Sequence, residues 1–245
     1  MVTGLETFRA WFATCADQYV LIGGTAASIT LEKAGLEFRK TKDLDIVLHI
    51  ETLTPEFGRR FWGFVEAGGY AIRRSSVTGR PKLYRFSAPE TPDFPFMLEL
   101  FSRAPDGFQL DDEARLTPIP IDETVSCLSA ILLDQDYYDF VMSGRQIESG
   151  LPWIGEDRLV PLKVYAWLDL TARRQAGEPI DSKDIAKHLK DVALLSSLFR
   201  PGTKIPVSAR IADDVRRFID QISLIEDTKP RSDVSLMCER LRLVY

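Results

Sequence analysis

The chain has 245 residues, 45% of them apolar and 27% charged, with a formal net charge of −5. That suits one large domain or two small ones around a substantial core, and it excludes a disordered chain. An acidic protein is also a poor non-specific coat for nucleic acid. The charge is uneven, though: residues 58–85 hold seven basic side chains against one acidic, and residues 86–157 hold three against fifteen.

The first residues, MVTGLETFRAWF, lack the basic-then-apolar layout of a signal peptide. No stretch nears the roughly 18 apolar residues of a membrane span. The expectation is a cytoplasmic protein without membrane contact. Cys15, Cys127 and Cys238 form no CxxC pair, and only His49 and His188 are present. Reduced thiols are therefore expected, and no structural zinc site.

Leu5, Phe8, Phe12 and Cys15 recur at helical spacing, which predicts a helix over 4–16. Tyr19–Ile22 reads as a buried strand running into Gly23-Gly24, and 25–33 as the next helix. Leu44–Ile50 (LDIVLHI) reads as a second buried strand with His49 inside it. Residues 55–67 suit a helix stopped by Gly68-Gly69. Residues 70–74, 82–87 and 95–102 look like strands, with a turn at Ser76–Pro81 joining two of them. Segment 104–157 has no clear period, and 127–133 fits helix or strand. From residue 158 the pattern is helical: Val160, Val164, Trp167 and Leu168 on one helix, and Asp181 as N-cap of the next, with Ile185, His188, Leu189 and Val192 in a stripe. Tyr165 and Trp167 are both expected in the core. Two further helices fit 206–224 and 231–244. The predicted organisation is an α+β fold: a mixed sheet flanked by helices in a catalytic lobe over 1–157, then a helical lobe over 158–245.

The chemistry gathers in residues 19–50. Asp43 and Asp45 stand one residue apart at the start of a strand, so both carboxylates point to one side. Two such charges repel unless neutralised, and oxygen ligands without nearby His or Cys select Mg²⁺ or Mn²⁺ over zinc. Gly23 and Gly24 carry no Cβ, and the helix that follows offers free N–H groups, so a phosphate can lie close, with Thr25 adding a hydroxyl. Glu99, the one charge in the apolar run 96–101, is the candidate third carboxylate; the competing reading pairs it with Arg73, Arg74 or Arg85.

The order apolar strand, Gly-Gly-Thr, helix, Arg39-x-Thr41-x-Asp43-Leu44-Asp45 resembles the polymerase-β-like nucleotidyltransferase superfamily. Residues 159–191, with Lys163 on one helix and Lys183-Asp184 on the next, resemble the AbiEii/MenT group of nucleotidyltransferase toxins. The gap of 18 residues between Gly24 and Asp43 is longer than the superfamily's usual one, and Glu replaces the commoner third Asp. The resemblance implies an NTP substrate on Gly23, Gly24 and Thr25, with Mg²⁺ on Asp43, Asp45 and Glu99. It implies Lys163 on the phosphates, Asp184 positioning Lys163 or contacting the nucleotide, and Arg39 orienting the carboxylate loop or binding phosphate. The resemblance implies a macromolecular acceptor such as a tRNA or other RNA 3′ end and a toxin-like role, and it leaves open whether an antitoxin partners the chain. Transfer to a small molecule or a protein side chain, and an idle NTP-binding module, stand as alternatives.

Overall fold

A computed structural model describes residues 2–74, 81–105, 116–119, 129–226 and 232–245. The chain divides into two compact units, Met1–Ile154 and Gly155–Tyr245. No helix among the described residues is long and apolar enough to cross a membrane.

The first unit is an α+β arrangement on a mixed sheet. Its helices are α1 (Leu5–Phe12), α2 (Gly23–Lys33), α3 (Pro55–Gly68) and α4 (Gln135–Ser143). Its strands are β1 (Tyr19–Ile22), β2 (Asp43–Leu48), β3 (Ala71–Arg74), β4 (Pro81–Ser87), β5 (Met97–Ser102), β6 (Leu116–Pro118), β7 (Ser129–Leu132), β8 (Arg145–Glu148) and β9 (Leu151–Ile154). Seven run in the order β3-β4-β5-β2-β1-β9-β8, and β7, carrying β6, pairs with the end of β5. β2 lies antiparallel to β1 and parallel to β5.

One face of this sheet is closed by aromatic packing. Tyr19, Phe86, Leu98 and Leu100 from the strands are fully buried, as are Phe8, Phe12, Phe57, Phe61 and Phe64 from α1 and α3. Phe8 meets the Tyr19 ring edge-on at 5.4 Å, and Phe61 meets Phe86 at 5.5 Å. Helix α3 starts where this packing needs it: the Thr54 hydroxyl accepts the Phe57 N–H at 3.2 Å, and Pro55 occupies the first helical position. Gly69, at φ 62°, ends it. Alternation then sends Asp43, Asp45 and Glu99 to the opposite face.

Several boundaries differ from the sequence-based expectation. The first helix ends at Phe12 and tightens into a 3-10 turn over Ala13–Cys15. Helix α2 begins at Gly23 and not at Thr25: Gly23 takes φ 66°, which bends the chain from β1 directly into the helix. Strand β2 stops at Leu48, so His49 follows it. The unassigned segment contains α4, β8 and β9. The 127–133 stretch holds β7 and Pro81 opens β4, whereas Cys127 and residues 76–80 of the expected turn lie outside the described residues. Cys15 and Cys238 are buried thiols.

The second unit is helical: α5 (Glu156–Gln175), α6 (Ser182–Ser196), α7 (Ala209–Glu226) and α8 (Ser232–Val244). Asp181 caps α6 by accepting the Lys183 N–H at 2.9 Å. Trp167 is buried against Phe218 at 5.1 Å, but Tyr165, expected in the core, is 38% exposed. At about 100° per residue it falls outside the arc that Val164, Trp167 and Leu168 share.

Candidate active site

The β2–β5 register places Asp45 directly across from Glu99, and Asp43 across from Met97. All three carboxylate residues are half-buried. Asp43 and Asp45 lie roughly 7 Å apart along β2. Across β5, strand β4 brings Arg85 opposite Glu99. Asp45, Glu99 and Arg85 therefore form a row across three neighbouring strands, on the face turned away from the aromatic core.

The glycines are explained by what touches them. A Cβ on Gly23 would fall 1.8 Å from Oδ2 of Asp45, and one on Gly24 would fall 2.7 Å from Oγ1 of Thr41 and 3.8 Å from Nη2 of Arg39. Loop 39–41 thus lies over the start of α2, and the Asp45 carboxylate lies beside it. The N-cap residue of this helix, Ile22, makes no side-chain cap bond. Arg39 also covers the ring of Phe38, 4.8 Å from its centroid. Thr25 is fully buried, and its hydroxyl donates to the backbone carbonyl of Asp43 at 2.8 Å. Its hydroxyl ties α2 to the first residue of β2.

Glu99 is held by Arg85, whose Nε and Nη2 both contact Oε1. Among the described residues no group of three His, Cys, Asp or Glu side chains is arranged to hold a metal ion. Asp43 and Asp45 nonetheless fit a hard cation of the Mg²⁺ kind, which takes one or two carboxylates and completes its shell with water and substrate phosphates. The clearance at Gly23 is what lets the Asp45 carboxylate occupy that position.

The other predicted residues lie in the second unit and are described within it. Lys163 is buried on α5 and pairs with Asp191 of α6 at 3.0 Å, a residue that is itself only 3% exposed. Asp184 is exposed in the first turn of α6. Asp191 was not among the sequence-derived candidates. Its signal was present: it falls three residues after His188 and next to Val192, so an acid stands on the helix's apolar stripe and needs a cation.

A second polar cluster lies past the other end of β2. Glu51 accepts hydrogen bonds from Tyr138 (2.7 Å) and from Arg103 Nη2 (2.7 Å) and Nε (2.9 Å), with His49 Nε2 3.5 Å away. Burial opposes the Glu51 charge, but these bonds outweigh it and hold its carboxyl below the usual range. Burial, then the bond to Glu51, pushes the Tyr138 phenol well above its ordinary value. Backbone groups complete the cluster: Tyr138 also accepts the Ile50 N–H at 3.1 Å, and Arg103 Nη1 donates to the Ala104 carbonyl at 2.8 Å.

No protein-family model matches the sequence, and no curated protein does. A crystal structure of an H. pylori protein, described provisionally as a nucleotidyltransferase, is similar over 98% of this chain and 88% of that one, at 16% identity and a TM-score of 0.42.

Proposed function

We propose that the chain is a metal-dependent nucleotidyltransferase of the polymerase-β-like kind, moving a nucleotide from an NTP to a macromolecular acceptor, an RNA 3′ end. The observation that carries this reading is the meeting of Asp45 with the Gly23 turn while Asp43 and Glu99 share its sheet face. Phosphate would lie against the N–H groups at the start of α2, where the helix dipole favours negative charge. Asp43 and Asp45 would hold a divalent cation, which when bound screens the phosphate charge and favours in-line displacement of pyrophosphate. Thr25 fixes the first turn of α2 to Asp43, so the phosphate cradle and the carboxylates keep one spacing. Arg39, beside Gly24, is placed to meet phosphate oxygens. A toxin role with a cognate antitoxin follows from the AbiEii/MenT resemblance.

The test is transfer of labelled NTP by purified protein with Mg²⁺ to a panel of RNA, protein and aminocyclitol acceptors. The reading expects labelled RNA with the wild type and none with Asp43→Ala or Asp45→Ala. Label confined to a small molecule would move the assignment to that acceptor. Equal transfer by the Asp variants would overturn it.

A further inference from the structure

Glu99 is the acid that a second divalent ion would use, and it already has a cation. Arg85 places Nε and Nη2 on the same oxygen, Oε1. The Glu99 side chain is only 12% exposed, and that of Arg85 is 35% exposed. The pairing is set by register, since Glu99 faces Asp45 on one side and Arg85 on the other. Asp43, Asp45 and Glu99 share one sheet face, and Arg85 on β4 brings a positive charge to it. A guanidinium does not lose its proton, and two N–H donors on one carboxylate oxygen make a charge-assisted contact. A metal ion taking Glu99 would have to displace that contact and leave a part-buried guanidinium unpaired.

We propose that Arg85 is the resident cation of this site, neutralising Glu99 in place of a second divalent ion, so that the chain binds one divalent ion, on Asp43 and Asp45. This rests on the nucleotidyl-transfer reading of the Asp pair and adds its metal stoichiometry. The experiment is a Mn²⁺ titration of the full chain with a non-hydrolysable NTP, counting bound ions by loss of the free-ion electron paramagnetic resonance signal. One ion per chain is expected for the wild type and for Arg85→Lys, which keeps the charge. Two are expected for Arg85→Met, whose Glu99 is released, returning to one when Glu99→Gln is added. Thermal melts establish that each variant is folded; if Arg85→Met is not, the wild-type and Arg85→Lys counts decide. Two ions in the wild type, or one in folded Arg85→Met, would overturn the proposal while leaving nucleotidyl transfer intact. No bound ion in any variant would overturn both.

Discussion

The carboxylate of Asp45 occupies the space that a side chain on Gly23 would need. A methyl group there would lie 1.8 Å from Oδ2, on a backbone at φ 66° that L side chains rarely adopt. Gly23→Ala is expected to cost about 1–2 kcal/mol from the backbone alone and to push Asp45 aside. Urea unfolding should show the first effect, and Mn²⁺ titration with an NTP should show weakened binding. Gly24→Ala meets the movable end of Thr41 at an ordinary φ and should be milder in both assays. Equal effects at the two glycines would contradict this account.

Thr25 acts through a backbone atom. Replacing it with Val keeps the shape but leaves the Asp43 carbonyl without its donor, at about 1 kcal/mol. Thr25→Ser should retain the bond and the stability. Chemical denaturation of both variants separates this tie from a direct phosphate contact, which would appear as weaker NTP binding in a fully stable Thr25→Val protein.

The Lys163–Asp191 pair is buried on both sides. Asp191→Ala strands a lysine charge and is expected to destabilise by about 3–5 kcal/mol. Lys163→Met with Asp191→Leu should recover much of that loss, because a matched apolar pair has no desolvation cost to offset. Equilibrium unfolding of the two single variants and the double gives the coupling directly.

Acid sensitivity should trace in part to Glu51. Its folded-state pKa is depressed, so its contribution is present above the unfolded value and is lost as pH falls through the folded one. The Tyr138 phenol is raised, so its contribution is present below the unfolded value and disappears in strong base. Melting temperature against pH should fall less steeply in acid for Glu51→Gln than for the wild type. Parallel curves would remove Glu51 from the explanation.

The local parts of this fold were legible in the sequence, and the relational parts were not. Strand β2 declared itself through an apolar, β-branched run, and pleating alone put Asp43 and Asp45 on one side. That Glu99 faces Asp45 depends on the parallel β2–β5 register, a long-range pairing that no window of sequence contains. The choice among Arg73, Arg74 and Arg85 as its partner had the same origin, and only the β4 register names Arg85. Helix α4 was hidden by its acids, although Tyr137, Tyr138 and Val141 bury one face. Asp191 is hidden in the sequence because its burial depends on Lys163, a partner from another helix.

The alternation of strand β4 has a consequence for errors in folding. Phe86 is sealed between Phe61 and Trp62 of α3, and its immediate neighbour Arg85 points to the other side of the sheet. Sliding β4 by one residue would drag Phe86 into the open and bring the guanidinium against phenyl rings. The aromatic face therefore opposes this slip twice, by losing Phe86 and by receiving a charge. The aromatic core acts as the proofreader of the ionic pair on the far side.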